Sequence, residues 1–250
     1  MLKKSLIQDN ETLEDLKLKG LYIIQKKQGF RFGMDAVLLG NFARVKKNDS
    51  VIDLCTGTGI IPFIISGKNE VKNILGIDIQ QELIDMANRT VEYNNLKGQI
   101  NFINEDLTNE KAIKELNRAD VVTVNPPYKL RNSGVINLDD KNAISRHEIS
   151  CNLDDVIRAA KILLKDRGKF YMVHRPERMA DILCTMKKYK IEPKVIRMVQ
   201  PNKDKSPNLI LLEGQKNAGA FLRWEKTLYV YDEEGNYTDE IKRIYGEMGN

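Results

Sequence analysis

The chain has 250 residues, of which 42% are hydrophobic and 30% charged, and a net charge of +5, a composition typical of a globular protein with its own core. Its apolar runs are much shorter than the roughly 20 residues of a membrane span, and the residues after Met1 become polar before a secretory signal could form, so we expect a cytoplasmic protein with no membrane contact. Three widely spaced cysteines and two histidines argue against a disulfide framework, a zinc site and hydrolase chemistry, and we expect no metal.

The first 50 residues lack the regular alternation of predicted strands and helices that the rest of the chain shows. We predict a strand at residues 21–25, a turn at 26–29 and a short helix at 34–42. These elements are expected to belong to an N-terminal appendage, residues 1–47, that packs on a main domain at residues 48–231.

From residue 51 onward, short β-branched runs alternate with helical stretches, a pattern typical of a parallel sheet with helices on both faces. Seven strands are predicted, at residues 51–54, 73–77, 100–103, 120–124, 169–173, 195–199 and 209–212. Because the turn between the last two strands is short, we expect that pair to be antiparallel. The predicted fold is therefore an α/β domain with a seven-stranded, mostly parallel sheet, helices on both faces and a terminal antiparallel hairpin.

Charge is distributed unevenly along the chain. Residues 161–216 contain fourteen Lys and Arg against six Asp and Glu, a net charge of +8, whereas residues 232–250 contain six acids and two bases, a net charge of −4. The basic region favours a polyanionic partner, although a solvated surface explains such a run equally well. We interpret residues 232–250 as an acidic C-terminal tail.

The glycine loop, residues 53–59, follows the first strand and opens the first helix. Glycines let the backbone pass close to a ligand, and the helix N-terminus favours an anionic group. Asp78 ends the second strand 19 residues after Gly59, where a carboxylate can accept both hydroxyls of a ribose. Together these features predict a nucleoside cofactor. Taken separately, the glycines could serve a tight turn and Asp78 could cap the next helix.

The tetrapeptide Asn125-Pro126-Pro127-Tyr128 follows the fourth strand, at the end where α/β sheets bind ligands. Two prolines remove backbone donors and fix an extended backbone, so carbonyl oxygens can point outward while Asn125 adds an amide oxygen. Such acceptors would hold a planar NH2 group, and Tyr128 can lie flat on the ring that carries it. The alternative is a proline-rich turn with a capping Asn and a packed Tyr.

With these motifs the sequence resembles the class I S-adenosylmethionine-dependent methyltransferases, which implies a Rossmann-like fold. The glycine loop is similar to their first motif, residues 105–106 to the segment that recognises the cofactor adenine, and residues 125–128 to the catalytic motif of amine methylation. Cys55 departs from the pattern, since many members have glycine there. The resemblance implies S-adenosylmethionine as the cofactor, bound by Asp53, Thr56, Gly57, Gly59, Asp78, Ile79, Asp106, Leu107 and Asn125.

Two further segments, residues 28–39 and 145–149, are similar to the bacterial tRNA (adenine-N6)-methyltransferase family, which modifies an adenosine beside the anticodon of a valine tRNA. The resemblance implies that Asn125 and the Pro126 carbonyl bind the exocyclic amine of adenine, so that its lone pair can attack the methyl group. It also implies a tRNA substrate and leaves the oligomeric state open. The basic residues expected to contact that substrate are Arg31, Lys129, Arg146, Lys203 and Lys205.

Other reactions use the same tetrapeptide. A protein glutamine-amide methyltransferase would share it, but that family carries a longer helical N-terminal domain than residues 20–42 supply. Methylation of guanine N2 in ribosomal RNA stays open, and methylation of adenine in DNA would need a larger inserted domain. An RNA-binding protein without catalysis would not need Asn125 and Asp78, and hydride transfer by a nicotinamide dehydrogenase would not use the tetrapeptide.

Overall fold

The computed structural model describes residues 5–29, 31–128 and 152–246. Lys129 and Arg146, two of the predicted substrate contacts, lie outside these ranges. The strands are β1 (Glu11–Asp15), β2 (Tyr22–Lys26), β3 (Ser50–Leu54), β4 (Asn73–Asp78), β5 (Ile100–Asn104), β6 (Ala119–Val124), β7 (Leu164–His174), β8 (Ile191–Gln200), β9 (Leu209–Lys216), β10 (Arg223–Trp224) and β11 (Leu228–Tyr229). The α-helices are α1 (Met34–Phe42), α2 (Ile60–Lys68), α3 (Gln81–Tyr93), α4 (Glu110–Glu115), α5 (Leu153–Leu163), α6 (Met179–Lys188) and α7 (Asp239–Ile244).

One nine-stranded sheet forms the centre of the protein, in the order β10-β8-β9-β7-β6-β3-β4-β5, with β11 also paired to β8. All pairs are parallel except those of β9, which is antiparallel to both β7 and β8. The predicted α/β fold is confirmed: its seven strands are β3 to β9, and its hairpin is β8 with β9. The hairpin folds back so that β9 lies between β7 and β8. Two additional strands, β10 and β11, extend the edge beyond β8.

Both faces of the central strands are buried, which explains their nearly continuous apolar sequences. Alternate residues of β6 point to opposite faces, so Val121 joins one hydrophobic cluster and Val122 the other. The first cluster contains buried residues of α1, α2, α3 and α7. The second contains buried residues of α4, α5 and α6. The prediction of helices on both faces is thereby confirmed.

The N-terminal segment forms the antiparallel hairpin β1–β2 and the helix α1. The hairpin is attached to α3, because the Ile24 backbone N–H donates to Oγ1 of Thr90 at 3.1 Å and Arg89 forms an ion pair with Glu11 at 2.5 Å. Helix α1 buries Leu38 and lies in the first hydrophobic cluster. The appendage therefore shares the core of the main domain.

The acidic C-terminal segment packs against the same cluster up to residue 246. Ile241 of α7 is fully buried (0% exposed), and the rings of Tyr231, Tyr237 and Tyr245 stack in a row, with centroids 5.4 Å and 5.9 Å apart. This part of the predicted tail is thus folded onto the core, and Glu240 of the short helix pairs with Arg197 of β8 at 2.8 Å. No helix within the described ranges is long and apolar enough to cross a membrane.

Candidate active site

The carboxyl ends of four neighbouring strands meet at one edge of the sheet. Backbone pairing aligns Leu54 at the end of β3 with Ile77 of β4 and with Val124 of β6, and aligns Asp78 of β4 with Asn104 of β5. The glycine loop therefore lies between the segments that follow β4 and β6. Because open α/β sheets bind ligands at this edge, the predicted motifs converge where a ligand site is expected.

Asp53 supports the glycine loop from behind. Its side chain is fully buried (0% exposed) and accepts hydrogen bonds from the hydroxyls of Thr56 and Thr123, both at 2.6 Å. Burial raises the pKa of this carboxyl to about 7, assisted by the negative charge of Asp78 and opposed by the two hydroxyl donors. Asp53, predicted to bind the cofactor, is placed where it holds the loop in shape.

The glycine loop turns through left-handed backbone conformations. The φ angle is +54° at Cys55, +56° at Gly57 and +84° at Gly59, a region that glycine enters without strain and other residues rarely enter. A Cβ atom on Gly59 would lie 2.4 Å from Cζ of Phe102. Gly59 is therefore required both for its φ angle and for the close approach of the aromatic ring from β5.

Asp78 connects the glycine loop to α3. One carboxylate oxygen accepts from the Gly57 backbone N–H at 2.8 Å and the other from the Gln80 backbone N–H at 3.0 Å. The helix-capping alternative is therefore present in the structure.

The segments after β4 and β5 provide neighbouring apolar and acidic side chains. Ile79 is 39% exposed, whereas Leu107 is only 7% exposed. Asp106, which follows β5 beside the end of β4, is oriented by a hydrogen bond from the Thr108 backbone N–H to its Oδ1 at 2.8 Å. An exposed apolar side chain near a carboxylate suits a flat ring with an amino group, such as adenine.

These residues fit the cofactor that the resemblance implies. Thr58 is 1% exposed, and its Oγ1 has no hydrogen-bond partner among the described residues. Since buried hydroxyls are normally paired, a polar group of a ligand at the glycine loop would complete the site. Elsewhere in the described ranges, no group of three or more His, Cys, Asp or Glu side chains is arranged to hold a metal ion.

The tetrapeptide meets the N-terminal appendage at this edge. The Tyr128 hydroxyl oxygen lies 2.6 Å from Oδ2 of Asp35 and 2.8 Å from Oδ1 of Asn125. Pro126 is buried and Pro127 is exposed. Burial and the nearby Asp35 carboxylate raise the pKa of Tyr128, so its hydroxyl keeps its proton. Asp35 belongs to the first turn of α1, and the appendage thus contributes a side chain to the candidate site.

Two residues at the end of β7 cover the ring of Tyr128. The His174 ring lies 5.1 Å from it, centroid to centroid and inclined by 60°, and the Arg175 guanidinium carbon lies 5.2 Å from the ring centroid. A cation over an aromatic face is attracted by the π electrons. Burial, with help from the charge of Arg178, lowers the pKa of His174 to about 4. The imidazole is therefore neutral at neutral pH.

Sequence reasoning did not identify Asp35, His174 and Arg175 as parts of this site. A signal for the last two existed, because they end the fifth predicted strand, which pairs directly with the fourth. Asp35 lies in the segment 28–39 that resembles the tRNA methyltransferase family, but no local pattern predicts its contact with Tyr128, which spans 93 residues of sequence.

The predicted basic contacts are partly neutralised by acids. Arg31 donates to Glu14 in the β1 strand, and Lys203 forms an ion pair with Glu233 at 2.8 Å, with both side chains largely exposed. Lys205 lies in the same β8–β9 turn and is exposed. That turn follows the carboxyl end of β8, three strand positions from β6, or roughly 14 Å at the usual strand spacing. It is therefore on the edge of the sheet that carries the tetrapeptide.

Comparison with known proteins agrees with this geometry. A family model described as a methyltransferase domain matches residues 45–235. The chain belongs to this family.

Individual proteins similar to this chain include methyltransferases of known substrate class. The tRNA1(Val) (adenine(37)-N6)-methyltransferase of Dyadobacter fermentans is 25% identical over 222 residues, which cover 88% of this chain and 90% of that protein. The protein of the same name from Parabacteroides distasonis is 25% identical over 238 residues, 93% and 98% of the two chains. A crystal structure of a predicted O-methyltransferase from Agrobacterium tumefaciens has a TM-score of 0.69 at 18% identity, covering 85% of this chain and 95% of that one. The resemblance stated from the sequence is confirmed.

Proposed function

We propose that this protein uses S-adenosylmethionine to methylate the exocyclic N6 amine of an adenosine in tRNA, beside the anticodon. The observation that carries the proposal is the position of Asn125 and Tyr128, which follow β6 directly beside the glycine loop. The names and coverage of the relatives support the substrate class. A tRNA substrate also agrees with the cytoplasmic location expected from the sequence.

The cofactor half of the site has separate tasks for its side chains. Asp78 accepts the ribose hydroxyls while it holds the Gly57 backbone, and Ile79 packs on the adenine with Asp106 at its amino group. Asp53 acts through Thr56, keeping the glycine loop in the shape that its left-handed residues define. When bound, S-adenosylmethionine supplies an electrophilic methyl group on a sulfonium.

The acceptor half prepares the amine. The Asn125 side-chain oxygen and the Pro126 carbonyl accept the two N–H bonds of the adenine NH2 group, which withdraws its lone pair from conjugation with the ring. The Tyr128 ring stacks on the base, and stacking of this kind is worth roughly 1 to 3 kcal/mol. His174 and Arg175 hold that ring. Catalysis therefore depends on positioning and on hydrogen-bond acceptors directed at the developing charge.

The substrate is held by Lys203 and Lys205, at the same edge of the sheet as the tetrapeptide, and by the predicted contacts Arg31, Lys129 and Arg146. An adenosine in a loop is already partly unstacked, so its methylation avoids most of the energy of flipping a base from a duplex.

A labelled-methyl assay on total tRNA, duplex DNA and protein extract, followed by mass spectrometry of nucleosides, tests the proposal. We expect label in tRNA, recovered as N6-methyladenosine. Label only in protein would replace the proposal with glutamine-amide methylation, and recovery as N2-methylguanosine would move it to the guanine alternative. Binding of tRNA should also weaken steeply as salt rises, since neutralised phosphates release counterions.

A further inference from the structure

Asp35 reaches the catalytic tetrapeptide from a different part of the chain. Its Oδ1 accepts from the Ala36 backbone N–H at 2.9 Å, and its Oδ2 lies 2.6 Å from the Tyr128 hydroxyl. Gly33 leaves room for this carboxylate, because a Cβ atom there would lie 2.6 Å from Oδ1 of Asp35. The contact is rigidly supported, since Leu38 and Leu39 of the same helix are at most 1% exposed.

Counting protons restricts the hydrogen bonds in this cluster. A carboxylate has no proton to donate, and a tyrosine hydroxyl has one. Hydrogen bonds to charged acceptors are stronger than those between neutral groups, so the Tyr128 proton belongs to Asp35. The Tyr128 oxygen then faces Asn125 with lone pairs only, and it requires a donor from that side.

The Asn125 amide can meet this requirement in one orientation. Rotation of the amide by 180° exchanges its oxygen and nitrogen with almost no change in shape. With Oδ1 at 2.8 Å from the Tyr128 oxygen, two sets of lone pairs would face each other once the tyrosine proton has gone to Asp35. With Nδ2 in that position, the amide donates to Tyr128 and its carbonyl oxygen is directed the other way. The other end of the amide has no hydrogen-bond partner among the described residues.

We propose that Asp35 is a positioning residue that, through the Tyr128 hydroxyl, orients the Asn125 amide so that its carbonyl oxygen is presented to the substrate amine. This inference rests on the proposed function, in which that oxygen accepts from the NH2 group. An amide turned the other way would present its own NH2 group to the substrate and repel it. The orientation is thus determined by a residue from outside the segment that the methyltransferase-domain model matches.

A double-mutant cycle between Asp35 and Tyr128 tests the orientation. In Asp35→Ala, the tyrosine proton is free to go to the Asn125 carbonyl oxygen, which removes it from the substrate, so we expect kcat to fall roughly 10- to 100-fold, the value of one lost hydrogen bond to the reacting group. Tyr128→Phe removes the competing hydroxyl, keeps the ring and should lower kcat only a few-fold. The double variant Asp35→Ala/Tyr128→Phe should therefore be faster than Asp35→Ala alone.

Two controls separate this role from folding. Asp239→Ala removes an acid from the first turn of another helix, α7, and should leave kcat unchanged. The dissociation constant of S-adenosylmethionine, measured by calorimetry, should change less than twofold in every variant. Asp35→Asn keeps the shape of the side chain and an acceptor oxygen but removes the charge, so the tyrosine proton is shared between two neutral amides and kcat should fall less than in Asp35→Ala. If Asp35→Ala does not fold, the comparison with Tyr128→Phe is made with Asp35→Asn, and the double variant should again be faster than the single one. A double variant that is as slow as Asp35→Ala, or slower, would overturn the inference.

An independent measurement does not require turnover. In the wild type, the side-chain NH2 signals of Asn125 in an NMR spectrum should show a hydrogen-bonded proton, and this signal should move in both Asp35→Ala and Tyr128→Phe. Unchanged signals would contradict the proposed orientation. If the signals move as expected but no RNA is methylated, the orientation stands and the proposed function fails.

Discussion

The two halves of the candidate site are constructed differently. In the cofactor half, the contacts stay within adjoining strands of the sheet and their loops: Asp53 accepts from Thr56 and from Thr123 of the neighbouring β6, and Asp78 accepts from the Gly57 backbone N–H. In the acceptor half, Tyr128 is held by Asp35 from 93 residues away and by His174 from the end of another strand. The cofactor half is thus built within the central sheet and the loops that follow its strands, whereas the acceptor half also needs α1 from the N-terminal appendage.

This difference separates a general task from a specific one. A glycine loop and an acid at the next strand suit any nucleoside cofactor, whereas in the proposed function the surroundings of Tyr128 select the amine that is methylated. Changes in the acceptor half should therefore reduce methyl transfer and leave cofactor binding intact. Changes in the cofactor half should instead weaken cofactor binding.

Asn125→Ala should have the largest effect on methyl transfer, and it is the strongest test of the difference between the acceptor half and the cofactor half. We expect kcat to fall on the order of 100- to 1,000-fold, as when one preorganised partner of the reacting group is lost, with cofactor affinity within a few-fold of wild type. Single-turnover methyl transfer and calorimetry measure the two quantities. An Asn125→Ala enzyme with full activity would rule out the assigned role.

Asp78→Ala is the corresponding change in the cofactor half. It removes the proposed ribose acceptor and leaves the Gly57 and Gln80 backbone N–H groups without their present partner. We expect the binding free energy of S-adenosylmethionine to weaken by roughly 1 to 3 kcal/mol, which raises its dissociation constant about 5- to 150-fold. Asp85→Ala, on the exposed side of α3, the helix that follows Asp78, is the control and should bind normally. Equal affinities of the two variants would place Asp78 outside the site.

Gly59→Ala and Gly98→Ala compare two glycines with nearly the same backbone angle. The φ angles are +84° and +88°, but a Cβ on Gly59 would collide with Phe102, whereas a Cβ on Gly98 would meet nothing within 4 Å. Both variants should lose about 1 to 2 kcal/mol of unfolding free energy to strain, and Gly59→Ala a further 1 to 3 kcal/mol to overpacking. Urea unfolding measures both. Similar losses of unfolding free energy in the two variants would mean that the ring of Phe102 can move to make room for the added Cβ.

The buried carboxyl of Asp53, in the cofactor half, should make the stability of the protein depend on pH. Its pKa is raised to about 7 in the folded protein from an unfolded value of about 4. The folded state therefore binds more protons between these values, and this group makes the unfolding free energy decrease as pH rises from about 4 to about 7, by up to roughly 1.4 kcal/mol per pH unit. Asp53→Asn should have a flatter profile than wild type in this range. Parallel profiles would show that the carboxyl stays ionised.

The two lysines of the β8–β9 turn extend the acceptor half outward and should have the smallest effects. Charge reversal of both Lys203 and Lys205 should weaken tRNA binding and leave cofactor affinity unchanged. Because Lys203 is paired with Glu233, Lys205→Ala should weaken binding more than Lys203→Ala. Each phosphate contact that is lost should reduce the salt slope by about 1. An unchanged slope in the charge-reversed protein would remove this turn from the tRNA surface.

Prediction from sequence succeeded where a local pattern has a single structural meaning. The strands β3 to β9 appear as β-branched runs because they are buried, and the short helix predicted at residues 34–42 coincides with α1. The strands β10 and β11 have two residues each, too few to show a period of two. Helices α4 and α7 have six residues each and bury one residue, so their sequences look like solvated loops.

The sequence by itself determined the parallel sheet, the glycine loop with Asp78, and the tetrapeptide after β6. These follow from neighbouring residues, because a parallel sheet brings the carboxyl ends of its strands to one edge. Only the tertiary structure decided that β9 inserts between β7 and β8, that Asp35 meets Tyr128, and that Glu233 pairs with Lys203. Such contacts join segments that are far apart in the sequence, and no local pattern in one segment indicates the other. They form only when the apolar faces of the appendage and of the C-terminal helix are buried on the shared core.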